Sequence, residues 1–100
     1  MTVFAGSWDA TLLTPIGTML VVFDITEENG VIGGEARSDA ETVEILEAVA
    51  DGNRLTWTQN VTTPMRLTLK FDVTVEGDTM TGAYKAGIFP SSKVNATRAS

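Results

Sequence analysis

Between Met65 and Val75 the chain alternates without interruption. Met65, Leu67, Leu69, Phe71, Val73 and Val75 are apolar, and Arg66, Thr68, Lys70, Asp72 and Thr74 between them are polar. Successive side chains of a strand point to opposite faces, so eleven residues of period two specify a strand with one buried face and one wet face. Leu55, Trp57, Gln59 and Val61 alternate in the same way with Thr56, Thr58, Asn60 and Thr62. Met80, Gly82, Tyr84 and Ala86 alternate with Thr79, Thr81, Ala83 and Lys85. Each of these segments needs a core on one face.

The connections sort into two kinds. Glu28-Asn29-Gly30, Asp51-Gly52-Asn53 and Glu76-Gly77-Asp78 contain residues that tolerate positive φ and read as tight hairpin turns. The segments 13–17, 38–41, 62–64 and 87–92 hold all three prolines, Pro15, Pro64 and Pro90, which cannot donate to a ladder and so mark loops or strand ends. Eight strands follow, over about 3–13, 18–27, 31–37, 42–50, 54–62, 65–75, 79–86 and 93–99. With sequential hairpins and no long crossover, the expected fold is all-β: an eight-stranded antiparallel up-and-down meander closed into a barrel, one domain spanning residues 1–100. A two-sheet sandwich is the alternative, but closure removes the exposed edges. Connections of a meander alternate between its ends, so the tight turns gather at one end and the proline-bearing loops at the other.

Charge and composition exclude several functions. Thirteen acidic against seven basic residues give a net charge of −6, which repels nucleic acid and anionic membranes. There is no cysteine, so no disulfide or thiolate chemistry contributes. No basic leader precedes a long apolar stretch, and no apolar run approaches the roughly 20 residues of a membrane helix, so a cytoplasmic location is expected. Without histidine the commonest general base, zinc ligand and haem ligand are missing. Asp39 with Glu41, and Glu27 with Glu28, read as solvated turn charge rather than a calcium site. No metal and no cofactor is expected.

At Gly6-Ser7-Trp8 in the first strand and Arg98 in the last, the chain resembles the calycins, the superfamily of lipocalins, fatty-acid-binding proteins and avidins. The resemblance extends over the whole eight-strand pattern. It implies that Gly6, Trp8 and Arg98 plug the closed end of the barrel, with the guanidinium over the indole face. Trp8 begins the first strand at the end where the tight turns gather, so the implied closed end and the tight-turn end coincide. The mouth then lies among the proline-bearing loops. The chain is shorter than typical members and lacks their lid and helix.

On the inward frame set by Trp8, Phe23, Trp57 and Phe71, the polar members are Ser38, Gln59, Tyr84 and Arg98. Buried polar groups need partners, supplied by neighbours or by a ligand. The leading expectation is a module that binds a small hydrophobic molecule in the barrel mouth. Its apolar wall comprises Leu12, Met19, Phe23, Trp57 and Leu67, and Gln59 and Tyr84 orient the ligand. A small barrel enzyme of isomerase or cyclase type, with Tyr84, Glu35 or Glu47 as acid or base, is the second reading. A domain with a solid core is the third. Leu20 and Val22 are apolar on the outward frame, and Val43, Ile45, Leu46, Ala48 and Val49 follow no single alternation. Those residues require a bulge or a second contact surface, the latter pointing to a homodimer through strands two to four.

Overall fold

The computed structural model describes residues 4–14, 17–62, 66–87 and 89–99. The expected strand starts at Val3 and Met65, and the loop residues Pro15 and Pro64, lie outside them. Nine strands form, β1 (Gly6–Thr14), β2 (Gly17–Glu28), β3 (Val31–Arg37), β4 (Thr42–Glu44), β5 (Leu46–Asp51), β6 (Arg54–Val61), β7 (Leu67–Glu76), β8 (Thr79–Ala86) and β9 (Ser92–Arg98). All lie in one antiparallel sheet of order β4-β3-β2-β1-β9-β8-β7-β6-β5. The first and last strands therefore pair, as an up-and-down barrel requires.

The alternation of β7 is realised in full: Leu69, Phe71, Val73 and Val75 are buried, whereas Thr68, Lys70, Asp72 and Glu76 are exposed. Asn29, Gly30, Gly52 and Gly77 take positive φ in the three tight turns. These turns, with the first residues of β1 and the last of β9, form one end of the barrel.

The ninth strand corrects the expected count of eight, because the segment expected at 42–50 divides at Ile45. Residues before it pair with β3, with Ala36 opposite Val43, and residues after it pair with β6, with Leu46 opposite Thr58. Ile45 itself is buried, and its N–H donates to the Gly34 carbonyl at 3.0 Å. The register with β6 shifts between Leu46 and Val49, and Glu47 takes φ 52° within that bulge. The bulge accounts for part of the mixed apolar pattern: Val43 and Ala48 both pack on the core, whereas Val49 is exposed. A bulge reverses the side-chain alternation locally, which lets one segment serve two neighbours.

That shared segment closes the barrel almost completely, bringing β3 near β5 and β4 near β6. At the loop end, Glu41 accepts hydrogen bonds from the Thr62 backbone N–H (3.0 Å) and hydroxyl (3.0 Å), bridging the seam. Among the described residues, no helix is long and apolar enough to cross a membrane.

Candidate functional site

The closed end is built around Trp8, which is fully buried and donates its indole N–H to the Phe4 carbonyl at 2.9 Å. The Arg98 guanidinium lies over the Trp8 ring, 4.2 Å from its centroid. Arg98 also donates through Nε to Asp78 at 3.0 Å and through its terminal nitrogens to the carbonyls of Ala5 and Gly77. One side chain thus binds the chain start, the β7–β8 turn and the core aromatic. Gly6 stands opposite Ile25 at the start of β1. The residues expected to plug the barrel are brought together, and this end offers a ligand no polar group in want of a partner at Arg98.

The middle of the barrel is filled by rings. Trp57 stacks on Phe71 with centroids 4.9 Å apart, Phe71 stacks on Tyr84 at 5.3 Å, and Phe23 meets Trp57 and Phe71 edge-on at 5.2 and 5.6 Å. They come together because the register aligns Trp57, Phe71 and Tyr84 across β6, β7 and β8. Leu12 is buried beside them, whereas Met19 is 40% exposed and Leu67 partly buried nearer the loops. Of the seven residues expected to meet a ligand, Leu12, Phe23 and Trp57 belong to the packed middle. Met19 and Leu67 lie toward the open end.

The two polar candidates differ. Tyr84 donates its hydroxyl to the Leu13 carbonyl at 2.6 Å, so its donor is occupied by the backbone. Gln59 is only 4% exposed and accepts the Trp57 indole N–H on Oε1 at 2.7 Å. An indole nitrogen only donates, so the amide orientation is fixed and Nε2 presents its two donors elsewhere. Among the described residues Nε2 has no acceptor, and it keeps contact with solvent. Gln59 stands opposite Leu69, one step from Val61 and Leu67 at the loop end. It is a buried donor group on the inner face of the open half.

Burial raises the Tyr84 pKa above its ordinary 10.0, with Ser92 acting in the opposite sense. The native state therefore holds this proton more tightly than the unfolded chain. Its stabilising contribution is complete below the unfolded pKa and is lost as pH rises through the native one. Urea unfolding from about pH 8 to about pH 11 is expected to show an alkaline loss of stability that Tyr84→Phe makes shallower. The variant loses roughly 1 kcal/mol at neutral pH with its bond to Leu13. An alkaline limb unchanged in Tyr84→Phe contradicts the assignment.

The weak acid and base candidates do not converge. Glu35 is exposed on β3, opposite Glu44, and Glu47 is exposed at the β5 bulge. Ser38 lies in the β3–β4 loop, where its hydroxyl serves the turn closed by Glu41. Glu27, read from the sequence as solvated turn charge, is partly buried, and its Oε1 is shielded without a partner. Nothing in the alternation marked it, since the position falls one step from a turn. Among the described residues no three acidic side chains gather closely enough to hold a metal ion. Comparison with family models, with curated proteins and with solved structures returns no match.

Proposed function

We propose that the protein binds a small, neutral, largely apolar molecule carrying a hydrogen-bond acceptor, seated in the open end of the barrel above the ring stack. The observation that carries this reading is the Gln59 amide: a nine-tenths buried side chain whose Nε2 donors have no acceptor among the described residues, opposite Leu69, with Val61 and Leu67 paired one inward step further along and Ala86 opposite Leu69. Nε2 keeps some contact with solvent, so a carbonyl oxygen placed there replaces water in a largely apolar setting and adds about 0.5–1.5 kcal/mol. A neutral acceptor fits better than a carboxylate. Among the described residues the only cation on the inward frame is Arg98, held at the opposite end, and burying an unpaired charge is costly. The packed middle supports a shallow site rather than a deep cavity.

The likeness to calycins is supported by the Arg98 guanidinium over Trp8 and by the meander, and belongs to the same proposal, as does a cytoplasmic setting. For the homodimer, the supporting feature is Leu20 on β2, 75% exposed, with Leu13 diagonal to it on β1.

A titration of intrinsic tryptophan fluorescence with a medium-chain methyl ketone, its parent alkane and the matching carboxylate tests the site. The ketone is expected to bind saturably and more tightly than the other two. Gln59→Glu, which retains an acceptor for Trp57, is expected to weaken the ketone by about tenfold while leaving the alkane unchanged. No saturable binding of any of the three removes the reading. Equal affinity for ketone and alkane removes the role of Gln59.

A further inference from the structure

Charge divides this barrel into two sides. Residues 1–51 hold ten of the thirteen acidic residues and a single base, Arg37, whereas residues 52–100 hold the other six bases and three acids. The strand order places the first group on β1–β5 and the second on the contiguous β9-β8-β7-β6. All three lysines of the chain fall on this second side. Lys70 on β7 stands directly opposite Lys85 on β8. Lys93 on β9 pairs with Ala83, the outward position two residues before Lys85.

Like charges facing each other across adjacent strands repel. No ion pair relieves Lys70 or Lys85 among the described residues. The neighbouring acid, Asp72, is held instead by Arg54 through bonds of 2.8 and 2.6 Å, and the same partner keeps its carboxyl below the usual carboxylate range. Glu47 reaches the rim from the β5 bulge and makes no ion pair with either lysine. Between these side chains lies an outward-facing groove of about 490 Å³. Ala83 leaves its floor open to the sheet, and the hydroxyl residues Thr56, Thr58 and Ser91 line it beside the two lysines. That volume lies within the range of small-molecule sites, and hydroxyls beside unpaired ammonium groups suit the oxygens of an anion.

We propose that the groove on β6–β8 is a binding site for a small, multiply charged oxyanion, with Lys70 and Lys85 supplying the charge and Thr56, Thr58 and Ser91 orienting it. The site lies outside the barrel and is independent of the Gln59 site. An occupant removes the repulsion between the lysines, so the opposed pair stabilises the bound state and destabilises the free one. Because the remainder of the chain is strongly acidic, recognition is local to this face, and weakly charged anions gain little from it.

Titration calorimetry and thermal unfolding with pyrophosphate and with citrate, at ionic strength matched by sodium chloride, test the proposal. One of the two anions is expected to bind saturably and to raise the melting temperature, and their order of affinity assigns phosphate or carboxylate chemistry. Lys70→Met with Lys85→Met is expected to weaken that anion about a hundredfold, roughly tenfold per lysine, without lowering the melting temperature of the free protein. Gln59→Glu should leave anion binding unaltered. An equal rise in chloride alone means simple screening and overturns the proposal, as does unchanged affinity in the double variant. A salt-sensitive increase in molecular mass, lost on the lysine substitutions, also overturns it by assigning this face to the acidic side of a second copy.

Discussion

Replacing Gly82 with alanine is expected to destabilise the protein by about 3 kcal/mol or more, and Gly33→Ala to leave it unchanged or stabilise it by up to about 1 kcal/mol. Both glycines are strand residues, and propensity alone assigns them the same small effect. A Cβ on Gly82, however, meets the Asp72 carbonyl oxygen and carbon, and lies 2.7 Å from Val73 Cα. These are main-chain atoms of β7, so no rotamer change relieves the overlap. Gly33 faces only the Thr26 hydroxyl at 3.9 Å, an ordinary contact. Gly34 belongs with Gly82: it adopts φ 133°, and its Cβ would meet the main chain of Asp24 and Ile25. Chemical denaturation of the two variants reads the difference directly. Equal midpoints for Gly82→Ala and Gly33→Ala exclude close backbone approach at Gly82. Glycine within a strand often marks such an approach or a tight bend at a barrel corner.

The second large effect is expected at Trp57. Trp57→Ala removes a 2% exposed indole that stacks on Phe71, meets Phe23 edge-on and anchors Gln59. The expected loss is about 3–5 kcal/mol, a large part of the roughly 5–15 kcal/mol that holds a domain of this size together. Trp57→Phe separates the contributions. It keeps a ring against Phe71 but removes the indole N–H, leaving Gln59 Oε1 without its donor, at an expected cost of about 1–3 kcal/mol. Urea unfolding of both variants gives the comparison. A loss below about 1 kcal/mol for Trp57→Ala means the middle of the barrel is not load-sharing through this ring. For the same reason Gln59 rather than Trp57 is the residue to substitute when ligand binding is measured.

The two sites proposed for this protein draw on different levels of information. Gln59 was legible as an inward polar residue from the alternation of β6, because that alternation depends only on the pleat. Which of its atoms is committed was not, since the bond to Trp57 depends on rotamers within a packed core. Tyr84 was equally legible, yet its partner, Leu13, lies 71 residues away in sequence. The lysine groove left no local mark at all. Lys70, Lys85 and Lys93 are separated by turns and strands, and only the register of β7, β8 and β9 makes them neighbours.

Outside the segment 42–51, the sequence by itself determined the strands, their buried faces and the three tight turns. Each rests on a period of two or on residues that tolerate positive φ, and these are short-range properties of a chain. Tertiary structure decided the rest. The segment 42–51 serves two neighbours, bending at Ile45 and bulging at Glu47, because closing a sheet on itself is a long-range condition that no single strand encodes. Gly34 and Gly82 are required by the neighbouring backbone rather than by a turn. Whether the barrel is open along its length or filled by Phe23, Trp57, Phe71 and Tyr84 was settled by long-range geometry: register aligns Trp57, Phe71 and Tyr84 on neighbouring strands, and Phe23, on a strand that pairs with none of these, meets Trp57 and Phe71 edge-on.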